Sequence, residues 1–574
     1  MTKLRTRLFA SVCAIAVAAV AAAPAASAEP KPGKTVEKRV RSAAPGAKKV
    51  RESLVRVYDP LPADAGEHPA ACDWLEYLRF RHAGGPRKAR RADAIVVIIP
   101  GFLGGAASFD QLARNTVRRA AVRGKRIEYW ALDRRANCLE DDTGVNAAAK
   151  ARDATVAWDY YWGGGEANGR RFDGFVPPEE AEFLGEFGLR RTMEDWYTVM
   201  RSGIKRQPRR ARKMICGGHS LGGPLTASFA GWDFDGDPKT KRDAGYKQCA
   251  GLVGLDTTLD LESGGGDGAG ALGVGLELVS QSGGAPYVNA PPLTPETIQV
   301  PSVFGVGSYF APQGTDLLRE LPHTQNIDLS QRVLFSRDAA HFATNSPSIR
   351  EFTLTNEVSL AGIFDDNSAP LSFLRSSVGQ VVGGPLVDKN FPTPSDGTLA
   401  LPEEPSTPLY SWETYREVGK DGAEIALNDS GQPYTSRESE ISDLRQLART
   451  LFEAPANFTE QYFPTRILLD VSAAESGDRS GDLAALRHDG VAKRPGLLIQ
   501  AGDSDDNTAP DDGLPHTGDA PPNELELSRE VIIPGYNHLD VVTAARRQND
   551  GRPEPSSKAL SRFTLKAVRA ARKR

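Results

Sequence analysis

The stretch Met214–Trp232, "MICGGHSLGGPLTASFAGW", decides the fold. A short apolar run leads into a serine set between glycines, and a run of helix formers follows. Gly218-His219-Ser220-Leu221-Gly222 is a G-x-S-x-G pattern in a strand–turn–helix context, and that context is what gives the pattern meaning. A serine on so sharp a turn has strained backbone angles. Side chains two residues to either side would collide with the strand and the helix, which accounts for the glycines. The turn lifts the hydroxyl above the sheet, and the following helix points its first N–H groups at a developing oxyanion. Ser220 is therefore the candidate nucleophile.

Working outward, "ADAIVVIIPG" (92–101) is a continuous β-branched run, as expected of a strand buried on both faces. "SFDQLARNTVRRAAVRG" (108–124) has helical spacing, "RIEYWALD" (126–133) reads as a strand, "EDWYTVMRSGIKRQ" (194–207) as a helix and "CAGLVGLD" (249–256) as a further strand. Strand alternating with helix predicts a mostly parallel α/β sheet with helices on both faces. After Asp260 the rhythm fails in the Gly-rich "ESGGGDGAGALGVG" (262–275). It returns with "RPGLLIQAGD" (494–503), "LSREVIIPGYNHLD" (527–540) and the helical "SSKALSRFTLKAVRAARK" (556–573). The expected organisation is a core in two parts, 91–260 and 495–574, interrupted by a cap or lid insertion over 261–494. An N-terminal extension over 29–90 precedes it, charged, Pro-rich and mobile as far as about residue 50.

The motif "GHSLG" resembles the lipase form of the α/β-hydrolase nucleophile turn, over about 91–260 and 495–574. That resemblance implies an oxyanion loop after an early strand, where this chain has "IIPGFLGG" (98–105), so the backbone N–H groups of Phe102 and Leu221 are the implied donors. Many members have His-Gly where this chain has Pro100-Gly101. The resemblance implies a catalytic histidine past the last strand, here His538 in "PGYNHLD". It implies an acid after the penultimate strand, where Gly-x-x-Asp spacing selects Asp505, with Asp503 and Asp506 close by. Some lipases take the acid from the strand after the nucleophile, here Asp256, so both positions stay open. His219, the x of the motif, props the turn. The implied activity is carboxylic ester hydrolysis on a small-molecule, lipid or polyester substrate. A peptidase, an acyltransferase and a non-catalytic binding module are the alternatives on the same scaffold.

The chain has 574 residues, more than one compact core usually holds. Its net charge of −4, from 70 basic and 74 acidic residues, is too balanced to point to a nucleic-acid partner. Lys3, Arg5 and Arg7 followed by "LFASVCAIAVAAVAAA" and "ASA" (26–28) read as a signal peptide cleaved after Ala28, so the expected location is extracellular, and no later segment reads as an integral membrane span. Export leaves Cys72, Cys138, Cys216 and Cys249. If Cys216 and Cys249 lie on neighbouring parallel strands, their offset is on the order of 10 Å, beyond disulfide reach, so Cys72–Cys138 is the expected bridge and Cys216 a buried thiol. "WDFDGDPKTKRDAG" (232–245) has acidic spacing that resembles a calcium loop, but Ala244 stands where the standard loop has Glu, and a turn rich in carboxylates explains it equally well. No metal ligand set and no cofactor is assigned from the sequence, and the oligomeric state is left open.

Overall fold

The computed structural model describes residues 30–237, 239–261, 271–395, 397–453, 455–503, 516–518 and 527–573. The ten strands of the central sheet are β1 (Thr35–Arg39), β2 (Val50–Tyr58), β3 (Trp74–His82), β4 (Ala94–Ile99), β5 (Ile127–Leu132), β6 (Met214–His219), β7 (Gly251–Leu255), β8 (Gly496–Ala501), β9 (His516–Gly518) and β10 (Arg529–Ile533). Their spatial order is β1-β2-β3-β5-β4-β6-β7-β8-β10-β9. The run from β5 to β10 is parallel throughout. The outer strands β1, β2 and β3 on one side and β9 on the other pair antiparallel. Helices α1 (Asp110–Val122), α2 (Leu189–Gly203), α3 (Gly222–Gly231), α4 (Pro295–Phe310), α5 (Gln325–Phe335), α6 (Asn356–Phe364), α7 (Leu444–Phe452) and α8 (Ser556–Lys573) supply the other layers. This is the architecture of the α/β-hydrolase fold.

Strand β4 shows why the pattern of its residues demands this layering. Ile95, Val97 and Ile99 enter one core with Leu189, Met193 and Trp196 of α2 and Leu225 and Phe229 of α3. Ala94, Val96 and Ile98 enter the opposite core with Leu112 and Val117 of α1 and Leu560 and Phe563 of α8. A strand covered on both faces has no polar side to alternate with, hence the unbroken apolar run.

The N-terminal extension departs from expectation. Thr35–Arg39 pairs with Ser53–Val57 as an edge strand, and β2 and β3 extend the sheet, so the charged segment before residue 50 is ordered by backbone pairing rather than by burial of its side chains.

The cysteines form two bridges where one is expected. Cys72–Cys138 is bridged as expected, but Cys216 is bonded to Cys249 as well, with their Cα atoms 5.9 Å apart. Cys216 pairs in register with Leu252, three residues beyond Cys249. The offset of about 10 Å would hold only if the chain ran straight into β7. Instead it arrives through the 3-10 turn Gly245–Gln248, packed on α3, and brings Cys249 in over the face that carries the Cys216 side chain.

The long insertion packs against a second excursion from the sheet. A third core joins Val300, Phe304, Ile363 and Leu447 of the long insertion with Trp158, Tyr160 and Tyr161 from the segment between β5 and α2. Buried ion pairs tie this cap to the sheet layer. Arg449 on α7 meets Asp110 on α1 at 2.5 Å, and Arg114 bridges Asp110 to Glu52 on β2.

Candidate active site

Ser220 occupies the turn between β6 and α3 with φ +54°, a conformation few non-glycine residues adopt. Its N–H donates to Leu255 O at 3.1 Å, fastening the turn to the end of β7. The flanking glycines are required sterically. A Cβ on Gly218 would lie 2.0 Å from Gly222 O, and one on Gly222 would lie 2.6 Å from Ile99 O. Gly101, on the loop after β4, comes so near that a Cβ there would lie 2.6 Å from Ser220 Cβ. The strained turn is thus enclosed by backbone on three sides, the kind of over-determination that holds such angles in place.

His538 follows β10, and its Nδ1 lies 2.5 Å from Asp256 Oδ2. Asp256 stands directly after β7, between the strand that carries Ser220 and the strand Gly496–Ala501. Its φ is +45°, its N–H donates to Ile499 O at 2.7 Å, and its second carboxylate oxygen accepts from the Ala501 N–H at 2.8 Å. One oxygen is anchored by β8, which leaves the other to orient the imidazole. Asp505, the acid favoured from sequence, and Asp506 lie outside the described residues. Asp503 accepts from the Gly535 N–H at 2.9 Å and so holds the turn before His538 rather than the histidine itself. His219 is buried, its Nε2 lies 3.1 Å from His538 O and its ring centre 4.5 Å from that of His538. Burial, and then the neighbouring His538, hold His219 well below the usual histidine pKa, so it stays neutral and props the histidine loop.

The loop Pro100–Gly104 after β4 is held by a residue no sequence pattern announced. Arg134, just past β5, donates from Nη2 to Pro100 O at 2.5 Å and to Gly101 O at 2.9 Å, and from Nη1 to Gly104 O at 3.2 Å. The same Nη1 meets Glu460 Oε2 at 2.5 Å, while the Glu460 N–H donates to Leu103 O at 2.8 Å. Leu103 has φ +54°, so the loop is strained where this clamp grips it. Burial lifts Glu460 to about 7 against the pull of Arg134. Among the described residues, the N–H groups of Phe102 and Leu221 donate to no protein acceptor.

Ser220, His538, Phe102 and Gly101 line one cavity of about 1190 Å³, counting the space at its mouth. Its opposite wall is the cap: Ile298, Pro301 and Phe304 of α4, Phe335 of α5, Ile363 of α6, and Phe373. Apolar walls with a few converging polar groups are the usual make-up of a small-molecule site.

No protein-family model matches this chain, and no curated protein matches it. Among solved structures it is similar to a lipase in open form (10% identity, 93% of this chain and 99% of that one, TM-score 0.28). It is similar also to an acetyl xylan esterase from Paenibacillus sp. R4 (14% identity, 50% of this chain and 71% of that one, TM-score 0.22). A third likeness is to a juvenile hormone epoxide hydrolase from the silkworm Bombyx mori (10% identity, 91% and 77%, TM-score 0.28).

Proposed function

We propose that this chain is an exported serine hydrolase of carboxylic esters, working through an acyl-enzyme on Ser220. The observation that carries the reading is the 2.5 Å contact of His538 with Asp256 beside a strained Ser220 turn, with histidine and serine on the wall of one apolar cavity. Ser220 Oγ attacks the acyl carbon while His538 Nε2 takes its proton. Asp256 fixes the tautomer with hydrogen on Nδ1 and stabilises the imidazolium, taking the role that sequence spacing favoured for Asp505. The N–H groups of Phe102 and Leu221 receive the oxyanion. His538 then protonates the departing alcohol, and water repeats the sequence on the acyl-enzyme. The apolar cap wall favours esters with a sizeable apolar group, and the two disulfides suit an oxidising compartment. Among the described residues no helix is long and apolar enough to cross a membrane.

A fluorophosphonate probe and a p-nitrophenyl ester panel from acetate to palmitate test the reading together. Expected is stoichiometric labelling of Ser220, with ester turnover. Ser220→Ala should lose labelling and on the order of 10⁴–10⁶ in kcat at an unchanged melting temperature. A folded protein that neither labels nor turns over any ester is a binding module instead.

A further inference from the structure

The acidic turn after α3 plays no part in ester chemistry, and its geometry asks for a ligand. Asp233, Asp235 and Asp243 each bring one carboxylate oxygen within 4.8 Å of the others. Exposed carboxylates often crowd in this way without binding anything. Asp233 is different. Its side chain is fully buried, and among the described residues neither oxygen meets a hydrogen-bond donor in good geometry. Buried polar atoms in native proteins are nearly always satisfied, so two orphan oxygens on one buried carboxylate need an explanation. The nearest cation, Arg487 Nη1, stands 3.7 Å from Asp233 Oδ2. Its guanidinium is already committed to main-chain acceptors, Nε to Ala484 O at 2.5 Å and Nη1 to Gly236 O at 3.1 Å.

We infer that Asp233, Asp235 and Asp243 form a calcium site. The donors are all hard oxygens, which suits calcium or magnesium and not zinc. Geometry then decides between them: magnesium demands a near-ideal octahedron, whereas a calcium shell of ~6–8 oxygens, completed by main-chain carbonyls and water, tolerates an irregular set of carboxylates on a turn. The site is not the twelve-residue loop weighed from sequence, because Ala244, where that loop has Glu, is fully buried. Asp243 is the downstream ligand instead, already tied to the start of the turn by the Asp235 N–H to Asp243 Oδ2 bond at 2.6 Å.

The role is structural. Helix α3 runs from the Ser220 turn for ten residues, about 15 Å, before the acidic turn begins. The ion therefore sits at the far end of the helix from the chemistry. It would pin Asp233, whose N–H donates to Ala485 O, to the return segment that leads through Gly245–Gln248 to the Cys216–Cys249 bridge.

The test is thermal unfolding of the full exported chain, stripped with EDTA and dialysed, then titrated with CaCl₂ or MgCl₂. Expected is a rise of several degrees in melting temperature with millimolar calcium and a much smaller rise with magnesium. Asp235→Asn and Asp243→Asn, both at partly exposed positions that leave the core intact, should each abolish most of that rise. Asp233→Asn should abolish it too and should raise the melting temperature of the calcium-free protein by neutralising the buried charge. No shift with calcium, an equal shift with magnesium, or a calcium shift that survives the Asp235→Asn/Asp243→Asn pair each overturns the assignment. The readout does not depend on ester turnover, so its failure and that of the hydrolase reading are separable.

Discussion

Asp256 turns an open choice between two carboxylates into a measurable ranking. Both of its oxygens are engaged, one by the Ala501 N–H and the other by His538 Nδ1, so Asp256→Asn should reverse the tautomer it enforces. The expected loss in kcat is on the order of 10⁴, with substrate binding little changed. Asp505→Asn should cost less than about tenfold, and steady-state kinetics of the two variants at one pH rank them. The reverse order would return the acid to Asp505. On the proposed mechanism Arg134 is a positioning residue, since it grips the loop through its carbonyls and touches no reacting atom. Arg134→Lys keeps the charge but cannot span Pro100, Gly101 and Gly104 with one planar fork. We expect kcat to fall on the order of 10²-fold with KM within about threefold, because an oxyanion donor displaced by ~1 Å has that effect. A fall in KM affinity with kcat intact would place Arg134 in substrate binding instead.

At the scale of elements, the cap is a wall before it is a lid. The Gly-rich entry segment over 262–270 lies outside the described residues. The rest of the insertion is fastened to the core at several buried points. Arg449 meets Asp110, Glu460 meets Arg134, and Asp366 accepts from Asn537 Nδ2 at 2.9 Å, one residue before His538. Asp540 accepts from Ser377 Oγ at 2.9 Å and Ser442 Oγ at 2.6 Å, joining the histidine loop to two cap segments. Swinging the whole insertion away would leave these buried ion pairs and hydrogen-bonded groups without partners. On the proposed function, selectivity resides in the wall's shape. Phe304 on α4 lines the cavity and packs edge-on to Trp158 at 6.0 Å between ring centres. Phe304→Ala should cost about 3–5 kcal/mol of stability and raise the palmitate-to-acetate ratio of kcat/KM. An unchanged ratio in a folded variant would mean that the acyl group lies elsewhere.

The whole molecule buries many carboxylic acids, and that sets its response to pH. Burial raises Asp133 to about 8, with Glu76 adding to the shift. Burial likewise raises Glu357 to about 7, and Asp540 to about 7 despite the hydrogen bonds it accepts from Ser442 and Asn537. An acid whose pKa is higher folded than unfolded binds its proton more tightly in the folded state. Its stabilising contribution is complete below the unfolded value near 4 and drains away as pH rises through the folded value. These groups therefore favour the fold in mild acid and withdraw support between about pH 4 and 8. Melting temperature should rise as pH falls from 8 towards 5, and Asp133→Asn should flatten that slope. A melting temperature that climbs steadily from pH 5 to 8 would contradict the linkage.

What the sequence determines by itself is local or periodic. The G-x-S-x-G turn announces itself because the steric demand of one sharp turn falls on residues adjacent in the chain. Strand β4 is legible because burial on both faces leaves an unbroken apolar run. His538 is legible from its place after the last strand of a recognisable series. The partner of His538 was not: Gly-x-x-Asp spacing favoured Asp505, because β7 and β10 flank β8 only in space and an acid stands at each strand end. Arg134 and Glu460, 326 residues apart, carry no shared pattern at all. The Cys216–Cys249 bridge depended on the path by which the chain enters β7, which strand spacing alone misjudged. The charged N-terminal segment looked mobile because its side chains have no apolar face, whereas its order comes from backbone hydrogen bonds to a neighbouring strand. Tertiary structure decided each of these, since each depends on which distant segments the fold brings within a few ångströms, and side-chain chemistry along the chain does not encode that distance.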